Sequence, residues 1–165
     1  MTNGRLPWQA VSNGVVWGDS VEAFEKKVRD SFSRQPFMST IGAEMISVGS
    51  GRVEIGFLFN SRLTQQNGFV HAGAVTSILD SACGYAALSV APEGVDVLTV
   101  EFKVNLLAPG VGESFLARAS VKRAGKRLAV CAADVFAVRA GEEKLIATML
   151  ATIMNIDPKA AGSGG

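Results

Sequence analysis

Histidine, cysteine and charge imbalance are all scarce in this chain of 165 residues, and each scarcity excludes a class of chemistry. There is one histidine, His71, and there are two cysteines, Cys83 and Cys131. That inventory gives no ligand spacing for a metal, so neither a metal site nor a cofactor is expected. Both cysteines sit inside apolar periodic segments, as buried free thiols do, which points to a reducing compartment rather than a disulfide framework. Lys and Arg number 16 against 15 Asp and Glu, for a net charge of +1. With the signs interspersed, the electrostatic footprint of a nucleic-acid binder is missing. No uncharged apolar run reaches the roughly 18–20 residues that a membrane span needs. The opening MTNGRLPWQAV has neither the charged nor the apolar region of a signal peptide. No Gly-rich phosphate loop and no serine nucleophile elbow occur. The expectation is a soluble cytoplasmic domain with neither nucleic acid nor membrane as partner.

The length favours one domain large enough to bury a core. Asp19-Ser20-Val21-Glu22 has a capping-box pattern, and Val21, Phe24, Val28 and Phe32 mark one face of the helix it opens, which Pro36 closes. Short strands are expected over 43–48 and 52–59; in the second, Val53, Ile55, Phe57 and Phe59 share a buried face. A long apolar helix should begin near Ala72 and run about five turns toward the breakers Pro92 and Gly94. Period-two alternation then takes over. Over 97–107, Val100, Phe102, Val104 and Leu106 oppose Thr99, Glu101, Lys103 and Asn105. After a turn at Pro109-Gly110, Phe115, Ala117, Ala119 and Val121 share the next face. Tight turns at Ala124-Gly125-Lys126 and Ala140-Gly141 lead to strands over 127–138 and 144–154. The pattern predicts an α+β domain, a curved antiparallel sheet around one helix. Residues 1–35 read as an N-terminal extension and helix, 36–156 as the domain proper, and 157–165 as a flexible tail ending in AAGSGG. Trp8 and Trp17 in the extension could cover a pocket or pack on a neighbour.

The chemistry gathers in QQNGFVHAGAVTSILDSACGYAALSV, residues 65–90. A polar loop with His71 enters the apolar helix, and Asp80 interrupts that helix with a charge that is costly to bury unpaired. His71 and Cys83 stand roughly 18 Å apart along the axis, so no Cys–His dyad forms within one chain. His71 and Asp80 stand roughly 13 Å apart on opposite sides, so a site using both needs two protomers, as a two-fold interface would supply. First-turn amides carry the positive end of the helix dipole, and Gly73 adds little bulk there, so a substrate carbonyl could approach them. A carboxylate across the interface could serve as general base or nucleophile. Blander roles also fit: Asp80 on a solvated stripe with Ser77, Ser81 and Gly84, His71 as a hydrogen-bonding residue at the helix start, Gln65, Gln66 and Asn67 as loop residues. Cys83 reads as core.

The order Asn67-Gly68, His71-Ala72-Gly73, Leu79-Asp80, Gly84 and Ala86-Ala87, followed by Thr99-Val100-Glu101-Phe102-Lys103-Val104-Asn105, Ala108-Pro109 and Gly125-Lys126-Arg127, resembles the hotdog-fold acyl-CoA thioesterases of the phenylacetate-pathway (PaaI-like) group. The resemblance spans residues 36–155. It implies a hotdog fold, a long central helix wrapped by the sheet, with a homodimer as minimal unit and a homotetramer as the usual assembly. It implies an acyl-CoA substrate and the hydrolysis of its thioester. Asp80 falls at the catalytic carboxylate, attacking the thioester or activating water, and Gln65 at the Asn or Gln beside it. The Ala72 amide matches the donor that polarises the carbonyl, with His71 packed beside it, and Thr99 the Ser or Thr near the same centre. Ala72 replaces the first glycine of the usual His-Gly-Gly and keeps the amide. For coenzyme A, the resemblance turns Lys122, Arg123, Gly125, Lys126 and Arg127 from a solvated turn into a phosphate cradle, with Asn67 contributing. A hotdog hydratase or dehydratase and a non-catalytic acyl-CoA-binding module are the alternatives. The acyl pocket is expected among apolar residues of the helix, the region 37–41 and the opposite protomer.

Overall fold

The computed structural model describes residues 19–157, with side chains described from residue 23. The side chains of the capping box, Trp8, Trp17 and the terminal AAGSGG lie outside the described residues. The elements run α1 (Asp19–Ser33), α2 (Pro36–Thr40), β1 (Ala43–Gly49), β2 (Arg52–Leu58), α3 (Ala72–Val90), β3 (Asp96–Leu106), β4 (Ser114–Ala124), β5 (Leu128–Arg139) and β6 (Glu142–Ile156). The six strands form one antiparallel sheet in the order β1-β2-β4-β5-β6-β3, and α3 touches all six. This is the α+β arrangement expected from the alternation of apolar residues, and the long helix against the sheet is what the resemblance to hotdog-fold proteins implies.

The four inner strands turn a face of mostly small or branched apolar residues toward α3. Val53, Ile55 and Phe57 on β2, Phe115, Ala117 and Ala119 on β4, Cys131, Ala133 and Val135 on β5, and Ala147, Met149, Ala151 and Ile153 on β6 are all buried. The abundance of alanine on this face is what lets an entire helix lie close against it. Ile78, Leu79, Ala82, Cys83 and Ala86 fill the helix side with no exposed surface. Val28 of α1 is buried in the same core. Phe57 and Phe115 stack with ring centroids 5.1 Å apart across the β2–β4 pair.

Three details depart from the expectations. Pro36 ends one helix and opens another, standing at the first turn of α2 where its missing N–H costs nothing. Phe59 lies beyond β2 and is exposed rather than continuing the buried face. On β3 the register slips between Thr99 and Glu101, so Thr99 opposes the buried Ile153 while Glu101 opposes Thr152. Directly opposite residues point to one face, so the bulge at Val100 moves Thr99 from the face of Glu101 and Lys103 to the inner face of Phe102 and Val104. The chain turns from β5 into β6 at Ala140-Gly141 as expected, with positive φ at both residues, as the two-residue turn requires.

Replacing Phe57 with alanine should cost about 3–5 kcal/mol, because the ring is fully buried and its stack with Phe115 is lost. Urea denaturation of the variant beside wild type measures it.

Candidate active site

His71 is the N-cap of α3, and its ring takes part in the cap: Nδ1 accepts the Gly73 N–H at 2.8 Å. A methyl at position 73 would come within 3.0 Å of that nitrogen and push the ring aside, so the cap favours glycine there. The backbone oxygen of His71 accepts from Ala74 and Val75. That leaves the Ala72 N–H as the first-turn amide with no acceptor among the described residues. It sits at the positive end of a 19-residue helix.

Asp80 lies on the half-buried flank of α3 that faces β3. Thr99 Oγ1 donates to Asp80 Oδ1 at 2.7 Å, a contact that exists because the β3 bulge turns Thr99 inward. The pair borders a cavity of about 560 Å³ whose other walls include Ser31, Arg34, Gln35, Ser81, Gly84, Tyr85 and Leu88, with Asp96, Val97 and Leu98 of β3. Ser81 Oγ donates to Gln35 Oε1 at 3.4 Å across it.

Gln65 and Ala72 border a different cavity, of about 450 Å³, with Phe69, Val75, Leu106, Leu107 and Pro109. Gln65 shapes its own loop: its N–H donates to Phe69 O at 2.8 Å and its side-chain oxygen accepts the Asn67 N–H. Asn67 borders a third cavity, with Phe59, Glu113 and Arg139. The single chain therefore brings Asp80 to Thr99 and Gln65 to Ala72, and keeps the two pairs in separate cavities.

Lys122, Arg123, Lys126 and Arg127 surround the β4–β5 hairpin, are exposed, and make no ion pair among the described residues. Gly125 closes the turn by donating to Leu128 O at 2.9 Å, and a Cβ there would come within 2.8 Å of that oxygen. Asn155 ties the hairpin to β6 by donating to Lys126 O at 3.1 Å. The hairpin and Asn67 lie at opposite ends of the 11-residue β4, roughly 35 Å apart, so one chain does not unite them.

Burial pushes the Cys131 thiol up to about 11 and raises the Cys83 thiol further, with Cys131 and Asp80 adding to the effect. Neither supplies a thiolate nucleophile at neutral pH. Among the described residues no three His, Cys, Asp or Glu side chains gather as a metal site would, and no helix is long and apolar enough to cross a membrane. Ser31, Arg34, Gln35, Tyr85 and Asp96 are the cavity residues that sequence reasoning did not single out. Arg34-Gln35-Pro36 marks a helix end, but nothing in that tripeptide says what it packs against. In the region 37–41, Met38 and Ile41 enter the core and Phe37 is exposed.

Removing the cap should loosen the start of α3. His71→Ala is expected to cost about 1 kcal/mol, and Gly73→Ala a comparable amount by displacing the ring. Thermal melts of both variants beside wild type check this.

Comparison with known proteins identifies the family and agrees with the fold. The thioesterase superfamily matches residues 67–143, from the Gln65–Phe69 loop to the start of β6. The solved structure of a thioesterase family protein from Silicibacter pomeroyi is 53% identical, with a TM-score of 0.80, covering 81% of this chain and 98% of that one. The PaaI protein of E. coli, from the phenylacetic acid degradation operon, shares the fold at 19% identity with a TM-score of 0.75, covering 84% and 96% of the two chains. A Saccharolobus solfataricus protein named as a candidate esterase is 32% identical over 104 residues, 63% of this chain and 69% of that protein. The chain belongs to the thioesterase superfamily, with the hotdog fold of its PaaI-like members.

Proposed function

We propose that this protein hydrolyses acyl-CoA thioesters to a carboxylic acid and CoA, in a site shared between two protomers. The observation that carries the proposal is the Thr99–Asp80 hydrogen bond at the mouth of a cavity, with an acceptor-free Ala72 amide placed elsewhere on the same helix. Superfamily membership supports thioester hydrolysis in general; acyl-CoA as substrate and the residue roles are our assignment.

Dimerisation follows from β3. It is an edge strand of 11 residues, hydrogen-bonded to β6 alone, and it exposes Leu98, Val100, Phe102 and Leu106. A long apolar edge of that kind invites pairing with another strand. A two-fold axis near Phe102 would pair it antiparallel with its copy, setting Asp96–Thr99 of one strand beside Leu106 of the other. Since the first of these segments borders the Asp80 cavity and Leu106 borders the Ala72 cavity, the same operation joins one protomer's Asp80 and Thr99 to its partner's Gln65 and Ala72. Two equivalent sites result.

In such a site the thioester carbonyl oxygen accepts the Ala72 N–H, and Gln65 holds a water beside Asp80. Asp80, fixed through one oxygen by Thr99, takes a proton from that water as its oxygen bonds to the carbonyl carbon. The displaced electron pair rests on the oxyanion at the Ala72 amide; an amide donor so aimed contributes about 2.7–4 kcal/mol. Collapse reforms the carbonyl and breaks the C–S bond, and the departing thiolate takes the proton from Asp80. The exposed cations of the 122–127 hairpin suit the CoA phosphates.

Asp80→Asn should lower thiol release from acyl-CoA esters by at least about a hundredfold while CoA-ester binding persists. Refolding Asp80→Asn subunits mixed equally with Gln65→Ala subunits should restore about one quarter of wild-type activity, because half the dimers then hold one intact site of two. Absence of thiol release from any acyl-CoA by wild type would end the hydrolase reading; absence of complementation would end the shared site.

A further inference from the structure

We infer that Gly84 sets how large an acyl group the site accepts, by leaving open the floor of the cavity that the C-terminal end of α1 borders. The inference rests on the acyl-CoA reading above and assigns the cavity beyond Asp80 to the acyl group.

Gly84 lies one helical turn past Asp80 and Leu88 one turn further, so the three form a line on one face of α3, roughly 12 Å long. All three border the 560 Å³ cavity. A Cβ built on Gly84 meets nothing within 4 Å, whereas its neighbours Ala82, Cys83 and Ala86 have no exposed surface. Glycine is the poorest helix former after proline, and nothing packs closely at this position to require it. What its absent side chain leaves is space, directly along the path from the carboxylate. Ser31, Arg34 and Gln35 form the facing wall, held to the floor by the Ser81–Gln35 hydrogen bond. Helix α1 thereby becomes part of the site rather than an appendage.

Charge decides which part of the substrate enters. The cavity holds two carboxylates, Asp80 and Asp96, and one guanidinium, Arg34. A net negative lining repels the phosphates of coenzyme A but not an uncharged acyl chain, and the four hairpin cations lie outside it. With the thioester at Asp80, the acyl group extends past Gly84 toward Leu88, and the nucleotide remains on the surface.

The test compares wild type, Gly84→Ala and Gly84→Leu on acetyl-, hexanoyl-, decanoyl- and phenylacetyl-CoA, with free CoA as a competitive inhibitor. Both variants should melt no lower than wild type, since each replaces a helical glycine in open space. Gly84→Leu should lose at least about thirtyfold in kcat/KM for decanoyl- and phenylacetyl-CoA, with less than about threefold lost for acetyl-CoA and an unchanged inhibition constant for CoA. Gly84→Ala should fall between. An unchanged acyl profile overturns the inference. So does an equal loss for every ester together with weaker CoA inhibition, which would place Gly84 beside the pantetheine arm. If wild type hydrolyses none of the esters, the hydrolase reading fails, and binding of non-hydrolysable acetyl and decanoyl thioethers of CoA carries the test. Selective loss of the decanoyl analogue in Gly84→Leu supports the cavity assignment, and equal binding of both analogues by that variant overturns it.

Discussion

A helix can be enclosed by a sheet on every side only if it carries nothing that must meet water. Twelve of the 19 residues of α3 are buried, and the flank that carries Asp80 is where enclosure stops. Sealing an unpaired carboxylate there would cost several kcal/mol, so the gap between α3 and β3 stays open as a cavity, and among the described residues the carboxylate's hydrogen-bond partner is the Thr99 hydroxyl. Three residues further along the same helix, Cys83 faces the sheet and is wholly buried. The helix thus sorts Asp80 and Cys83 by face: the thiol is kept protonated by burial, and the carboxylate is kept accessible.

The β3 bulge ties that sorting to assembly. Regular alternation would place Thr99 on the outer face with Glu101 and leave Asp80 without its donor. Adding one residue at Val100 restores the inner orientation at Thr99 and leaves the rest of the strand in register with β6. The same strand carries the exposed apolar side chains of the free edge. The element that orients the carboxylate is therefore also the element through which a second protomer would complete the site. Edge and site are coupled, and disruption of one should be felt in the other.

Much of this was legible in the sequence, and the exceptions share a cause. Period-two alternation located all six strands to within a few residues, and the apolar run with its breakers located α3, because periodicity records which face each element buries. The separation of His71 from Asp80 followed from helix geometry alone. The face of Thr99 did not, since a bulge depends on how two strands pair and leaves the alternation of either one nearly intact. The position of β3 beside β6, rather than beside β4, follows from long-range pairing and not from the turn at Pro109-Gly110. Arg34 and Gln35 were invisible as cavity residues for the same reason: their neighbours Ser81 and Gly84 are about fifty positions away.

The helix start shows why one glycine can be exchanged where another cannot. Gly73 surrenders its N–H to His71 Nδ1, and a Cβ at 73 would press on that nitrogen at 3.0 Å. Ala74 and Val75 donate to the His71 carbonyl. Position 72 alone in the first turn keeps a free N–H among the described residues, and an N–H is a backbone property that any residue but proline provides. Glycine at 73 answers a steric demand of the cap; at 72 the demand is only for an amide and a helical φ. Alanine satisfies both, and as a better helix former it holds the amide more firmly in place. The chain can therefore depart from two consecutive glycines after His71 without losing the donor that the proposed chemistry uses.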